Sequence, residues 1–282
     1  MPYKDILLHL ETYPEPTSVL ALEQGVRLSA ALGDQVTGLA THVSIPLKTN
    51  RLADFALSLG EMAKTEEGRS LQNAKALLDR FEQLTQDLGV FGGRLSPSAE
   101  LFEIPELTAQ LARTRDLCVI PYGRELASHQ GVAEAMIFAS GRPTLIFRPN
   151  DSKLARAEIG TVVVAWDGGR SAAAAVAAAL PALKAARKVI VLTVTNEKAS
   201  ARAGAPNDLI RHLGRHGLAA EAMEFDSAGA KIGSVLDHVV LRTEADLLVM
   251  GAFGHSRARE FVLGGATRSM LEAPPAPVLL AH

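Results

Sequence analysis

LLVMGAFGHSRAREFVLGGATRSM, residues 247–270, is the stretch around which the rest of the chain falls into place. Leu247-Leu248-Val249-Met250 is a continuous apolar run of the length of a buried strand. It stops at Gly251, reaches Gly254 three residues on, and enters a polar, basic segment with His255, Arg257 and Arg259. Gly264-Gly265 closes that segment, and Thr267 opens an apolar-periodic helix through Met270 and Leu271. A strand, a loop bounded by glycines and a helix start together can cradle a phosphate. Glycine lets backbone N–H groups come close to an anion, and the first turn of a helix offers unpaired N–H groups at the positive end of its dipole.

Working outward, the same plan occurs twice. Ile6–Leu10, Gln35–Val43, a strand near Gly92-Gly93 (which mark a turn or bulge), Leu117–Ile120 and Thr144–Phe147 read as five strands in the first half. Between them lie a helix capped by Thr17 or Ser18, a long helical region over about 51–88, a helix opened by Pro105 and a short helix over about 132–139. The polar, proline-containing segment 148–158 reads as a linker. The pattern then restarts at Thr161–Trp166, with Ser171 as the expected cap of an alanine-rich helix that Pro181 should kink or split. Later strands fall at 189–194, 218–225, 247–250 and 278–280. Leu7 aligns with Val163, Asp116 with Asp246 and Pro143 with Pro277, and the extra residues of the first half fall in its long helical region. Strands alternating with helices predict parallel sheets with right-handed crossovers and a ligand crevice at the strand C-termini.

Composition narrows the function classes. A chain of 282 residues suggests two domains, and 48% hydrophobic with 21% charged residues is ordinary globular composition. A net charge of −2 argues against non-specific nucleic-acid binding. The single cysteine, Cys118, sits in an apolar strand and reads as a core thiol, which fits a reducing compartment. The N-terminal MPYKDILLHLETY lacks the pattern of a secretory signal, and no apolar run approaches the ~20 residues of a membrane span. The expectation is a cytoplasmic protein without nucleic-acid or membrane partners. No Gly-x-Ser-x-Gly motif, Walker lysine or nucleophile–base–acid set stands out. His212 and His216 have the spacing of a zinc pair but no third ligand nearby, so an exposed helix face is the simpler reading.

The spacing Gly251-x2-Gly254-x9-Gly264 resembles the nucleotide-binding signature of the universal stress protein family, and the two repeats resemble its tandem type. The family usually has Ser or Thr after the third glycine, whereas this chain has Gly265, with Thr267 as the nearest hydroxyl. The resemblance is strong over 161–282 and architectural over 1–150. It implies two tandem flavodoxin-like/Rossmann-like α/β domains, each with a five-stranded, mainly parallel sheet flanked by helices. Residues 1–150 are then a degenerate universal stress protein domain, and 159–282 a domain with the nucleotide motif. Residue by residue, it implies that Asp167 faces the adenosine, Ala165 and Val194 line the base pocket, and Met250 and Gly251 end the fourth strand beside it. Gly254, Gly264, Gly265, Ala266 and Thr267 would cradle the phosphates, with His255 and Arg257 over them. The implied ligand is ATP or ADP, with or without magnesium. The implied role is stress response through conformation or partners, with at most weak ATPase activity and no catalytic residues.

In the first half Glu11 stands where Asp167 does, and Pro121, which has no N–H, stands where Gly251 does. That half is expected not to bind nucleotide in the family's way. Single-domain relatives commonly dimerise through their last strands, so Leu145-Ile146-Phe147 and Val278-Leu279-Leu280 are expected to pair antiparallel as an intramolecular pseudo-dimer. A homodimer of the whole chain is a further expectation. The rival readings are an interaction protein without a nucleotide and an ATP pyrophosphatase-like enzyme, whose loop Asp167-Gly168-Gly169-Arg170-Ser171 matches poorly.

Overall fold

The computed structural model describes residues 1–46, 53–122, 127–149, 158–196, 206–252 and 265–282. The first half runs β1 (Ile6–His9), α1 (Val19–Leu32), β2 (Val36–Leu39), β3 (His42–Ser44), α2 (Ala53–Asp87), β4 (Phe91–Leu95), β5 (Ser98–Glu100), α3 (Ile104–Ala112), β6 (Leu117–Pro121), α4 (Ala127–Ala139) and β7 (Thr144–Phe147). The second runs β8 (Thr161–Ala165), α5 (Arg170–Ala185), β9 (Lys188–Thr195), α6 (Pro206–Arg215), β10 (Ala220–Asp226), α7 (Ile232–Arg242), β11 (Leu247–Gly251), α8 (Gly265–Glu272) and β12 (Val278–Ala281).

One ten-stranded sheet carries both halves, in the order β10-β9-β8-β11-β12-β7-β6-β1-β2-β4. Counted within its own half, each set of five strands lies in the order 3-2-1-4-5, the arrangement of the Rossmann-type sheet. Strand order reverses beside β1 in one half and beside β8 in the other, and the crevice of such a sheet lies there, beyond the strand C-termini. The halves meet where β12 pairs antiparallel with β7, Val278 opposite Ile146, Leu279 opposite Leu145 and Leu280 opposite Thr144. Alternation splits the side chains between two faces. Leu8, Phe147, Val162, Val191 and Leu279 pack with α1, α2, α5 and α6 on one face. Leu7, Ile146, Val163, Leu192 and Leu280 pack with α3, α4, α7 and α8 on the other. Both cores run through the seam without interruption.

The repeat also shows in a polar detail. Asp116 accepts from the backbone N–H groups of Lys4 and Asp5 at 2.8 and 3.2 Å, and Asp246 accepts from those of Gly160 and Thr161 at 2.9 and 2.8 Å. One carboxylate before the fourth strand thus fixes the start of the first strand in each half.

Three local expectations change. The stretch 35–43 is not one strand: the chain leaves the main sheet after Ala40, whose N–H bonds Leu95, and His42–Ser44 pairs with Ser98–Glu100 in a separate two-stranded sheet. Ser171 does not cap α5. Gly169 holds the N-cap position without a side-chain bond, and the helix begins at Arg170. That helix runs undivided from Arg170 to Ala185 across Pro181, and its inner face of Ala175, Val176, Ala179 and Ala182 is buried against the sheet. The glycine pair at 92–93 does mark a bulge: Val36 pairs with Phe91 and Thr37 with Gly93, and Gly93 takes a φ of 133°.

Asp246→Ala should lower stability in urea unfolding by about 2 kcal/mol, since two hydrogen bonds to a charged acceptor vanish together. Asp246→Asn, which keeps an acceptor oxygen, should lose less.

Candidate functional site

The second-half crevice opens where β8, β9, β10 and β11 end. Ala165, Val194, Phe225 and Met250 lie on one face of the sheet there, in one apolar cluster with Ile232 at the start of α7 and Ala266 in the first turn of α8. Ala165, Val194, Phe225, Ile232 and Ala266 are half-buried, so the core thins into an apolar slot rather than closing over. Parallel pairing sets the slot's width: Ala165 lies opposite Leu192, and Val194 opposite Phe225. Across the Phe225 ring sits His238 of α7, its centroid 5.4 Å away.

Asp167 is exposed at the mouth of the slot, two residues beyond Ala165. Its Oδ1 accepts from the Gly169 N–H at 2.7 Å, an Asx turn that aims the chain into α5. Among the described residues Oδ2 has no hydrogen-bond partner. A Cβ on Gly169 would lie 2.9 Å from Asp167 Oδ1, so the small residue keeps the carboxylate in place.

Gly251 has a packing reason of its own. A Cβ there would lie 2.6 Å from Ala172 N and Ser171 C, so β11 ends backbone against backbone on the first turn of α5. On the other side α8 begins at Gly265, where a Cβ would meet nothing within 4 Å. Gly265 is exposed, and the N–H groups of Gly265, Ala266 and Thr267 belong to the first turn of α8. Thr267 itself is buried, so what that turn offers a ligand is backbone. The expected contacts Gly254, His255, Arg257 and Gly264 lie outside the described residues.

The matching crevice of the first half is polar and closed. His9 lies opposite Leu39 as Ala165 lies opposite Leu192, which places His9, Glu11 and Thr41 at the positions of Ala165, Asp167 and Val194. All three are buried, Glu11 to 5% exposure, whereas Asp167 is exposed. The cover is α2. Its Ser70 hydroxyl meets the Thr12 hydroxyl at 2.8 Å and accepts from Val43 N at 3.0 Å. Its Asn73 donates to the Thr12 carbonyl at 3.0 Å, and its Glu67 accepts from Ile45 N at 2.6 Å. Thr17 Oγ1 accepts from Glu11 N at 2.8 Å and locks the loop below. Burial raises the Glu11 carboxyl from its ordinary 4.5 to about 7, against the lowering effect of the Thr12 and Tyr13 N–H groups. Sequence reasoning saw the Glu11 substitution but not this closure, which rests on pairs such as Thr12 with Ser70, 58 residues apart.

The other candidates stay structural. Cys118 is buried, and burial pushes its thiol up to about 12. His212 of α6 and His216, one residue beyond its end, are exposed and lie edge to face, ring centroids 4.8 Å apart. Among the described residues no group of three His, Cys, Asp or Glu could hold a metal ion, and no helix is long and apolar enough to cross a membrane.

Comparison with known proteins now bears on this geometry. The model of the universal stress protein family matches residues 158–282, the half that holds the open slot. Residues 158–282 are similar to the universal stress protein family. The whole chain has the fold of a universal stress protein of Archaeoglobus fulgidus DSM 4304, at 16% identity and a TM-score of 0.68, covering 98% of this chain and 95% of that one. It is also similar to a putative universal stress protein of Pseudomonas aeruginosa UCBPP-PA14, at 12% identity and a TM-score of 0.56, covering 99% and 93%. No curated protein matches the chain. The structural likeness extends the fold over both halves, while the family's sequence pattern is carried by the second.

Two substitutions probe the contrast between the crevices. Gly251→Ala should destabilise by about 2 kcal/mol in denaturant unfolding, because its methyl meets backbone that cannot swing aside. For Glu11 the folded pKa lies above the unfolded one, so its contribution is fully present below about 4.5 and lost as pH rises through about 7. Glu11→Gln should therefore gain on the wild type between pH 5 and 8, by roughly 3 kcal/mol over the full range. Melting curves across that range check it.

Proposed function

We propose that the second half binds ATP or ADP and that the chain acts in a cytoplasmic stress response through the nucleotide's effect on its shape or its partners. The observation that carries the reading is the apolar slot of Ala165, Val194, Phe225 and Met250, flanked by the exposed Asp167 and by the exposed first residue of α8, Gly265. A flat base fits the slot. The free oxygen of Asp167 can accept from a ribose hydroxyl or a base amine. The first-turn N–H groups of α8 suit phosphate oxygens, helped by the positive end of the helix dipole. That turn needs no side-chain hydroxyl for this, so Gly265 in place of Ser or Thr weakens the cradle without removing it. Magnesium would shield the phosphates, and no residue is assigned to it. The antiparallel β7–β12 pairing supports an intramolecular pseudo-dimer in which the closed first half serves as a fixed partner.

The Asx turn favours a second reading, an interaction protein without a physiological nucleotide. Asp167 already has a structural task in holding Gly169. Neither crevice presents a nucleophile with a base beside it among the described residues, so hydrolysis, where it occurs, should be slow.

Calorimetric titration with ATP and magnesium decides between them. Nucleotide-free wild type should take up about one ATP per chain, and the Asp167→Ala, Gly254→Val double variant should take up none. A folded wild type that gives no heat turns the assignment to the interaction reading.

A further inference from the structure

Among the described residues at the crevice, Ser227 is a polar group that none of these roles uses. Ser227 follows directly on β10 and is 3% exposed, yet its hydroxyl has no hydrogen-bond partner among the described residues. A buried hydroxyl in that state is costly, and natural structures rarely leave one without a reason. Its position suggests the reason. The Ser227 N–H bonds the Thr195 carbonyl at 3.0 Å, which carries the parallel pairing of Val194 with Phe225 one step beyond the strand. Alternation puts Ser227 on the same face as Met223 and Phe225, the face of the slot. The turn after it is fixed: Asp226 accepts from Ala228 N at 2.9 Å and from Asn196 Nδ2 at 3.0 Å, and Ala230 N donates to the Ser227 carbonyl at 2.8 Å.

Asp167 leaves the sheet from β8 and Ser227 from β10, with β9 between them. Two strand spacings separate the pair by roughly 10 Å across the sheet. Among the described residues, the apolar side chains of Ala165, Val194 and Phe225 lie on that face near them. A nucleoside spans that interval with its sugar at one end and the edge of its base at the other.

We infer that Ser227 is a specificity-determining contact, its hydroxyl hydrogen-bonding the polar edge of the purine whose ring lies in the slot. The inference rests on the nucleotide reading of the second half. A serine hydroxyl both donates and accepts, so it can accept from the exocyclic amine at the purine's edge. An apolar slot alone holds any flat ring of the right size, and one polar group at its far end distinguishes among such rings.

The test uses the full chain, Ser227→Ala, ATP, and the triphosphate of unsubstituted purine riboside, which lacks the exocyclic group. Ser227→Ala should weaken ATP binding about fivefold. It should bind the purine riboside analogue as the wild type does, and its melting temperature should match or exceed that of the wild type. A merely structural hydroxyl would do the opposite, lowering the melting point while leaving ATP affinity unchanged, and that result overturns the inference. Equal loss for both nucleotides also overturns it, because the edge group would then not be what Ser227 reads. A wild type that binds neither nucleotide removes the nucleotide reading and this inference with it. ATP binding that ignores Ser227→Ala removes this inference alone.

Discussion

Three residue pairs across β7 and β12 hold this molecule in one piece. In each half the strand order leaves the fifth strand at an edge, with a row of N–H and C=O groups facing outward. Pairing Thr144, Leu145 and Ile146 with Leu280, Leu279 and Val278 satisfies both edges at once and removes two templates for unwanted strand addition. The side chains of these strands are buried on both faces. The seam therefore joins two continuous cores as well as two hydrogen-bond ladders. Tyr3 adds a polar tie between the halves, its hydroxyl donating to the Ala178 carbonyl of α5 at 2.7 Å.

With the sheet fixed, both crevices open at strand C-termini beside the point of order reversal, and the difference between them comes from what covers each. In the first half α2 has 35 residues, while its counterpart α6 has 10. The longer helix brings Glu67, Ser70 and Asn73 to the loops at the strand ends and shuts the crevice over His9, Glu11 and Thr41. In the second half the corresponding positions are Ala165, Asp167 and Val194, left half-buried or exposed. Duplication of one plan has produced an open apolar slot and a closed polar one. Their chemistry diverges because a buried carboxyl and an exposed one ionise under different conditions.

Much of the fold was legible because its signals are local. The apolar runs at Thr144–Phe147 and Leu247–Met250 are the strands β7 and β11 to within a residue, and Ser18 caps α1 by accepting from Ala21 N at 3.2 Å. The alignment of Asp116 with Asp246 proved to be one hydrogen-bonding device used twice. The candidate site was legible only in outline. Gly251 stood out by its spacing, but its close approach to Ala172 is a property of how β11 meets α5. Ser227 gave no signal, because a serine in a turn with Gly229 reads as ordinary loop chemistry.

The sequence by itself determined the alternation of strands and helices, the duplication, and the end of β11 at Gly251. These follow from hydrophobic period and from the backbone limits of glycine and proline, which act over a few residues. Tertiary structure alone decided that α2 closes the first crevice, that Ser171 yields the helix start to Gly169, and that Ser227 keeps a buried hydroxyl with no partner among the described residues. Each of those depends on which groups far apart in the chain exclude water from one another, and burial of that kind is a property of the packed whole.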